Sequence, residues 1–432
     1  MLAPIVAIAV SAVRPLVDNS FLWHVEAGRV QLAAGEVLRT DPFSFTFFGE
    51  GWRTQSWLAD IGYATLERWV TDVAWVPWLL TIAGVALLGM VALDLYREAR
   101  SPTIVGLALV VLLVITTRFL VPRPVIISLV LLSAVIVATR YRSTHWTVPL
   151  LMWVWAAVHG SWVLGVGFVL LEAIRTRSRR LGWVAAGAVV TASLTAHGVA
   201  VWQILWRFAM NREALDVIQE WQRPDFLELQ FVPYLVGIVG VGVAVAQRRV
   251  SRWDLVVIVP FALFGFTSAR ATLPALLVLA PYAVRPLRNV ASGSGSRSAL
   301  NAGIAGALVL LGVAVVVSAT TGPHPERFPI EASRSIDPGA TFHSDVVGGY
   351  LIYRGQPVFV DDRAELYGAE FFGSYRDARD GVEWRPLFDE YGITAALLDV
   401  DDGLVEVLGE AGWGERYRDD SFVVLEHVEL EE

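Results

Sequence analysis

The chain contains neither cysteine nor lysine in its 432 residues. Without cysteine it can form no disulfide and no thiolate metal site, and cysteine usage gives no information on the redox compartment. Without lysine, amine catalysis by a side chain is excluded, and all 34 basic residues are arginines. A glycine-rich phosphate loop is also absent from the sequence, which disfavours an enzyme that uses nucleotide sugars.

Apolar sequence is what the chain has in excess. It is 55% hydrophobic, has a mean hydropathy of +0.53 and contains 17 tryptophans. Runs of about 17 to 25 apolar residues, the length that crosses a bilayer as a helix, recur along it. The sequence therefore predicts an α-helical polytopic membrane protein with about 11 transmembrane helices. The expected spans are 2–17, 73–95, 103–120, 124–139, 146–158, 161–174, 182–197, 230–247, 253–268, 271–285 and 303–320.

Arginine placement predicts the orientation of these spans. Arginines fall in alternate loops, namely Arg97/Arg100, Arg140/Arg142, Arg175–Arg180, Arg248–Arg252 and Arg285–Arg297. The positive-inside rule places such loops in the cytoplasm. We therefore expect a multi-pass protein of the plasma membrane with a cytoplasmic N-terminus. The parts expected on the outer face are the segment 18–72, the loops near 118–123, 197–230 and 267–272, and everything after residue 320.

The last part of the chain, residues 321–432, reads as a separate soluble domain. From Pro323 onward it has 25 acidic and 9 basic residues, a net charge of −16. Strand patterns at 357–360, 393–400 and 421–427 alternate with helix patterns at 371–391 and 404–411, which predicts a small extracytoplasmic α/β domain. The Asp361-Asp362-Arg363 run is expected to be a salt-bridged turn. The strong negative charge argues against nucleic acid as a partner, and it leaves docking of another protein open.

The outer segment 18–72 carries polar groups next to the first predicted span. Helices are expected at 23–34 and 57–70, with Trp57, Leu58, Ile61, Leu66, Trp69 and Val70 forming the apolar stripe of an amphipathic helix at the membrane interface. Asp18, His24 and Asp41 lie around them, and Asp41 precedes a proline, which favours a turn. We regard this cluster as a candidate site, and a solvated loop with helix caps is the alternative.

The other outer loops hold candidate phosphate and sugar ligands. Arg118 and Arg123 sit at the expected membrane edge, where a guanidinium matches the oxygens of a phosphate, and Arg270 lies between two close spans with no acid adjacent in the sequence. Glu220 and Trp221 suit a sugar, because a ring stacks on tryptophan while its hydroxyls bind a carboxylate. The alternatives are arginine side chains that reach lipid headgroups and a tryptophan that anchors the interface.

Several motifs together resemble one known family. They are Asp18…Phe21-Leu22-Trp23-His24…Gly28, Asp41-Pro42-Phe43-Ser44-Phe45-Thr46, Ser56-Trp57-Leu58, Trp155…His159-Gly160, Glu220-Trp221-Gln222-Arg223-Pro224-Asp225-Phe226, Gly348-Gly349-Tyr350-Leu351 and the run Val358–Gly368. These segments resemble bacterial polytopic membrane glycosyltransferases of the GT-C fold. The resemblance implies a GT-C-like transmembrane domain over residues 1–320 and a sugar donor linked to polyprenyl phosphate.

The resemblance also implies roles for single residues. Asp18 corresponds to the general base or acceptor-orienting group, and Asp41 to a second acid that contacts the acceptor or a divalent cation such as Mg²⁺ or Mn²⁺. We assign Arg270, Arg118, Arg123, His24, His159, Glu220 and Trp221 to binding of the donor and its phosphate.

The expected reaction and partners follow from this resemblance. It implies transfer of the sugar, with inversion at its anomeric carbon, to a glycan, lipid or protein acceptor. The chain differs from the family at Ser20, where a second acid is common, at Gln55-Ser56 and at Ala157. A non-catalytic protein that binds, carries or scaffolds a lipid-linked glycan is therefore the alternative.

Overall fold

The computed structural model describes residues 16, 18–210, 219–288, 326–336 and 339–427. Within these ranges the chain is mostly helical and has one small sheet near its C-terminal end. It divides into two compact units. The first, the helical unit, contains the described residues of 73–205 and 215–288, and the second, the mixed unit, combines those of 16–72, 206–210 and 326–427.

Two helices open the mixed unit, α1 (Ser20–Ala34) and α2 (Trp57–Trp69). Both occupy the predicted places. The residues Ser20–Val25 are all buried, so α1 has no solvent face there. In α2 the buried face carries Asp60 and Glu67, whereas Trp69 of the predicted apolar stripe is 83% exposed. The polar residues of α2 therefore face its packing partners, and its apolar stripe points outwards.

The following helices belong mainly to the helical unit. They are α3 (Val76–Ala99), α4 (Pro102–Thr116), α5 (Pro124–Arg140), α6 (Val148–Val158), α7 (Trp162–Thr176), α8 (Arg179–Ala192), α9 (Ala200–Met210), α10 (Val232–Ala246), α11 (Leu255–Phe264) and α12 (Thr272–Ala283). Prolines stand in the first turn of α3, α4, α5, α6 and α10, where a missing N–H costs nothing.

Three described helical segments are long and apolar enough to cross a bilayer, namely 76–99, 102–119 and 229–246. The helices α5 and α11 are apolar but shorter. The prediction of about 11 spans is therefore not supported by the described helices, and the predicted spans 2–17 and 303–320 lie outside them. The length of an apolar run overestimated the length of the helix, because the turns next to the helices are apolar as well. The predicted span 253–268, for example, contains only the 10-residue helix α11.

Charged side chains are buried or half-buried at helix ends in the helical unit. Their contacts are Arg140 with Asp94, Arg175 with Glu172 (2.7 Å) and Asp254 (3.1 Å), and Arg285 with Asp254 (2.9 Å) and Glu98 (2.8 Å). These pairs connect α3, α5, α7, the start of α11 and the turn after α12. Arginines that were predicted to mark cytoplasmic loops thus also hold helices together, and the sequence analysis did not identify their acidic partners.

The C-terminal part of the mixed unit is built around a four-stranded sheet. Its elements are β1 (Thr341–His343), α13 (Asp345–Tyr353), α14 (Ala364–Arg379), α15 (Trp384–Tyr391), β2 (Ala395–Asp399), α16 (Gly403–Glu410), β3 (Trp413–Arg418) and β4 (Phe422–His427). The strand order is β1-β2-β4-β3, with β1 parallel to β2 and the other pairs antiparallel. The predicted C-terminal sheet with helices between its strands is present, but it shares a compact unit with residues 16–72. The predicted strand at 357–360 is a single bridge between Val358 and Ser44.

His343 at the end of β1 is fully buried. Its Nε2 accepts the backbone N–H of Phe359 at 2.9 Å, and its Nδ1 is 3.0 Å from the carbonyl oxygen of Ser344. An Nε2 that accepts requires a neutral ring, so Nδ1 is the donor. Burial lowers the pKa of His343 to about 4.

Acid should destabilise the mixed unit through His343. The unfolded imidazole binds a proton below about pH 6.5 whereas the buried one does not, so stability is complete above that pH and falls as the pH decreases towards about 4. The expected loss is on the order of 3 kcal/mol. Urea unfolding of the full chain in micelles should show a shallower pH dependence for His343→Gln than for the wild type. Equal slopes would contradict the assignment.

A second prediction concerns the contact between α1 and α2. A Cβ on Gly28 would lie 1.9 Å from the carbonyl oxygen of Asp60, whereas one on Gly62 in α2 meets nothing within 4 Å. Gly28→Ala should therefore lower the free energy of unfolding by about 1–3 kcal/mol, because the helices must separate. Gly62→Ala should raise it by about 0.5–1 kcal/mol. Thermal unfolding of both variants tests this, and equal effects would show that the helices are not in close contact at Gly28.

Candidate functional site

Arginines from two distant loops line one shallow cleft in the helical unit. Its lining residues are Arg118, Phe119, Val121, Arg123, Val125, Glu220 and Arg270. Arg118 lies in the 3-10 turn that ends α4, Arg123 caps α5 in an extended conformation, and Arg270 lies in the 3-10 turn before α12. The backbone N–H of Ala269 donates to the carbonyl oxygen of Gln222 at 2.9 Å, which fixes the turn of Arg270 against the loop of Glu220.

Arg270 is the best defined member of this arginine cleft. Its Nε lies 2.8 Å from Oε2 of Glu220, and its guanidinium lies 5.3 Å from the ring centre of Trp221. Its side chain is 27% exposed, so Arg270 sits at the accessible rim. The sequence showed no acid next to Arg270, and the structure supplies Glu220. Three guanidinium groups and one carboxylate line the cleft, which leaves it with an excess of positive charge.

His159 does not line the cleft. It ends α6. Its Nδ1 lies 2.9 Å from the hydroxyl oxygen of Ser161 and accepts the backbone N–H of the same residue at 3.1 Å. The hydroxyl of Ser161 lies 2.5 Å from that of Ser128, which accepts the indole N–H of Trp155 at 2.7 Å. These contacts organise the turn between α6 and α7, so the position of His159 favours a helix-end role over the predicted role in donor binding.

Asp41 lies in the mixed unit and is 1% exposed. Its carboxylate accepts the backbone N–H groups of Phe43 (3.1 Å) and Ser44 (3.0 Å) and is 2.6 Å from a terminal nitrogen of Arg363. Both oxygens are therefore engaged within the protein, which favours a structural role over the predicted catalytic or metal-binding one. Within the described ranges, no three His, Cys, Asp or Glu side chains are grouped as metal ligands would be.

Arg363 is the centre of a buried ion cluster. Its side chain is 0% exposed, and its guanidinium donates to Asp361 through Nε (2.8 Å) and Nη2 (2.6 Å) as well as to Asp41. Tyr367 donates its hydroxyl to Asp361 at 2.8 Å, and the ring of Trp52 stacks over the guanidinium at 4.6 Å. Burial alone would lower the pKa of Arg363, but the charge and hydrogen bonds of Asp361, together with Tyr367 and Asp41, outweigh it and raise that pKa. The predicted salt-bridged turn at 361–363 is confirmed.

The first turn of α1 brings together acids from both ends of the chain. Asp18, which is partly buried, accepts the backbone N–H of Ser20 at 2.9 Å. Asp362 accepts the hydroxyl of Ser20 and, at 2.9 Å, the indole N–H of Trp23. Ser20 stands where the GT-C family often has an acid, and here its hydroxyl binds an acid from the C-terminal part instead. Asp362 was not predicted as a site residue, and its signals in the sequence were its place in the 361–363 turn and in the run Val358–Gly368 of the family resemblance.

His24 lies one turn further along α1 and forms a dyad with a buried acid. Its Nδ1 is 2.6 Å from Oδ1 of Asp60, which is 0% exposed. Asp60 also accepts the hydroxyl of Thr54 at 2.6 Å and the amide of Gln31 at 3.4 Å. The ring of His24 stacks on Trp23 with 3.6 Å between ring centres. We call Asp18, Ser20, Trp23, His24 and Asp362 the α1 site.

Comparison with known proteins adds no family to this description. No protein-family model matches the chain, and no curated protein matches it either. The likeness to GT-C glycosyltransferases therefore rests on the motifs given above.

Replacing Arg363 should destabilise the mixed unit strongly. Arg363→Met leaves two buried carboxylates without their counter-charge, and such losses typically cost about 3–5 kcal/mol. Arg334→Met is the matched control, because the pair of Arg334 with Glu331 is 60% exposed on both sides and should contribute less than about 1 kcal/mol. Chemical unfolding followed by tryptophan fluorescence measures both. Equal, small effects would show that the Arg363 cluster does not hold the unit together.

Proposed function

We propose that the chain is a membrane glycosyltransferase that moves a sugar from a polyprenyl-phosphate donor to an acceptor at the extracytoplasmic face of the plasma membrane. The observation that carries this proposal is the meeting of Arg118, Arg123 and Arg270 in one cleft. Guanidinium groups pair with phosphate oxygens through planar, two-pronged hydrogen bonds. Two helical segments that could cross a bilayer meet this cleft: 102–119 ends at Phe119, which lines it, and 229–246 places the ring of Phe231 5.5 Å from the guanidinium of Arg118. They would give a polyprenyl chain an apolar path.

The cleft would act mainly on the leaving group. When the glycosidic bond breaks, the electron pair stays on the phosphate, whose negative charge grows in the transition state. Positive groups already in place stabilise that charge without reorganisation, and one such donor is typically worth about 10²–10³-fold in rate. Glu220 beside Arg270 suits the sugar, because a carboxylate accepts hydroxyl hydrogen bonds while the indole of Trp221 offers an apolar face.

A role for Asp18 at the acceptor hydroxyl is proposed from the resemblance alone. The resemblance gives Asp18 the role of orienting or deprotonating the acceptor hydroxyl, and Asp18 is partly accessible at the start of α1. A positioned base contributes about 10²–10⁴-fold. A divalent cation on Asp41 does not fit, because Arg363 and backbone N–H groups already occupy that carboxylate. The mechanism therefore contains no step through a metal at Asp41.

A protein that binds or carries a lipid-linked glycan without turnover is the second candidate. It is favoured by the engagement of Asp41 in the Arg363 cluster, which removes one of the two acids that the resemblance assigns to catalysis. Such a protein needs the arginine cleft but does not need Asp18. The two candidates therefore differ in whether the wild type transfers sugar and whether Asp18→Asn reduces that transfer.

Substitutions in the cleft test the proposed donor site. Arg270→Gln and Arg118→Gln should each lower kcat/KM for a polyprenyl-phosphate sugar by about 10²-fold, since each removes a charge-assisted contact to phosphate. Glu220→Gln should tighten binding of sugar-free polyprenyl monophosphate, because Arg270 loses a competing carboxylate. Arg223→Gln, an exposed arginine of the same loop that does not line the cleft, is the control.

The outcomes of this experiment separate the candidates. Donor binding without any sugar transfer in the wild type would identify a carrier. Donor binding and transfer that are unaffected by Arg270→Gln and Arg118→Gln would place the phosphate elsewhere. If the wild type neither binds nor transfers such lipids, the proposed function is wrong.

A further inference from the structure

Five arginine-rich turns of the helical unit, with the helix ends beside them, are joined to one another. They are the turns between α3 and α4, α5 and α6, α7 and α8, and α10 and α11, and the turn after α12. The contacts that connect them are Arg97 to the carbonyl oxygen of Arg140 (2.8 Å), Arg180 to that of Arg142 (3.3 Å), Arg175 to Asp254 (3.1 Å), Arg249 to the carbonyl oxygen of Arg285 (2.9 Å) and Arg285 to Glu98 (2.8 Å). The last contact leads back to the first turn, so the five turns form one continuous surface.

The exposed charges of this surface are all positive. Its carboxylates are buried or half-buried and paired with inner arginines, namely Asp94 with Arg140, Glu172 with Arg175, Asp254 with Arg175 and Arg285, and Glu98 with Arg285. We call the exposed arginines the basic face, and they are Arg100, Arg142, Arg177, Arg179, Arg180, Arg248, Arg252 and Arg288. Among the described residues, none of the basic face is in an ion pair with a carboxylate, so its charge is available to an anion from outside.

Two members of the basic face lie against one tryptophan ring. The guanidinium of Arg177 is 4.0 Å from the ring centre of Trp253, and that of Arg252 is 5.5 Å from it. A guanidinium is attracted to the face of an indole, and its N–H groups lie in its own plane, where oxygen atoms can still reach them. Asp254 fixes the turn of Trp253, because its carboxylate accepts the backbone N–H of Ser251 at 2.9 Å. Two positive groups are thus gathered at one place where a bound anion would relieve their repulsion.

The basic face lies at one end of every described segment that could cross a bilayer. The segment 76–99 ends before Arg100, 102–119 begins after it, and 229–246 ends before Arg248. The far end of 102–119 is Phe119, which lines the arginine cleft. Its 18 residues span about 27 Å as a helix, close to the thickness of about 30 Å of the hydrocarbon core. In a membrane the basic face would therefore lie among the headgroups of the leaflet opposite to the cleft.

We propose that the basic face binds the headgroups of anionic phospholipids, with Arg177 and Arg252 as principal ligands of a headgroup phosphate. The inference goes beyond sugar transfer and rests only on the membrane location in the proposed function. Charge complementarity selects this partner, since a lipid such as phosphatidylglycerol has a net negative charge whereas phosphatidylcholine is neutral overall. Guanidinium groups pair with phosphate oxygens, and each basic residue near an anionic membrane surface strengthens binding by about 5-fold.

Lipid binding to the full chain tests this assignment. Protein in neutral detergent micelles is titrated with phosphatidylglycerol or phosphatidylcholine, and bound lipids are counted by native mass spectrometry. The wild type should bind phosphatidylglycerol at least about 10-fold more tightly than phosphatidylcholine. Arg177→Gln/Arg252→Gln should weaken phosphatidylglycerol binding by about 5-fold for each arginine removed and leave phosphatidylcholine binding unchanged.

Arg68→Gln/Arg385→Gln is the matched control. It removes the same charge from exposed positions of the mixed unit, and the guanidinium of Arg385 also lies against a tryptophan, 5.1 Å from the ring centre of Trp384. This control should bind phosphatidylglycerol as the wild type does. Thermal unfolding in phosphatidylcholine, equal for all variants, shows that each has folded.

A second measurement needs no variant. Phosphatidylglycerol with a photoreactive headgroup should label the wild type in peptides that contain residues 175–183 and 247–254, and excess unlabelled phosphatidylglycerol should abolish this labelling. Inorganic phosphate at the same concentration should not compete. Displacement of the lipid by inorganic phosphate would identify a site for the free ion and overturn the assignment to lipid.

Other results would also overturn the inference. Equal binding of the two lipids by the wild type would do so and would leave the basic face to a different partner, such as an acidic protein. Phosphatidylglycerol binding that Arg177→Gln/Arg252→Gln does not weaken, or that the matched control weakens equally, would contradict the location. Labelling confined to peptides of the arginine cleft would assign the lipid to that cleft instead.

The cleft variant Arg118→Gln/Arg270→Gln separates this inference from the proposed function. It should keep the labelling at residues 175–183 and 247–254, because those residues belong to other turns of the helical unit. Loss of that labelling would show that the two places are not independent and would overturn the inference. If the wild type transfers no sugar but shows the labelling, the proposed transfer is wrong and the lipid-binding face stands.

Discussion

The mixed unit depends on the ion pairs of one buried guanidinium. Arg363 comes from the turn before α14 and binds Asp361 beside it and Asp41, which lies 322 residues earlier in the chain. Around it, the backbone of Phe43 and Phe45 pairs with Val358, and Trp52 donates to Glu365 at 3.2 Å. The cluster thus ties the early segment 18–72 to the C-terminal sheet, so Asp362 can reach the first turn of α1. The α1 site exists because the two ends of the chain fold as one unit.

Burial of polar groups explains where the sequence analysis succeeded and failed. Helix positions such as α1 and α2 and the strands β2 and β4 follow from local periodicity, and these predictions were correct within a few residues. The burial of Asp60 and Glu67 was not predictable in this way, because it depends on hydrogen bonds to residues far away in the chain, His24 and Tyr353.

The candidate sites were predictable as residue types but not as arrangements. Arginine, tryptophan and acid at outer-loop positions indicated phosphate and sugar chemistry, and five of these residues, Arg118, Arg123, Glu220, Trp221 and Arg270, do lie together in the helical unit. These residues come together through long-range packing between the loop after α4 and the loop before α12. No local sequence pattern predicts such packing. For the same reason Asp41 could not be recognised as an ion-pair partner, nor Asp94 and Glu172 as the counter-charges of helix-end arginines.

The central claim is that the arginine cleft receives the phosphate of a polyprenyl lipid. The most direct test is a cryo-electron microscopy structure of the full chain in nanodiscs with polyprenyl monophosphate. The account predicts phosphate density within hydrogen-bond distance of the guanidinium groups of Arg118 and Arg270, with the lipid chain leading into the bilayer. Headgroup density at another place, with the cleft empty at saturating lipid, would contradict it.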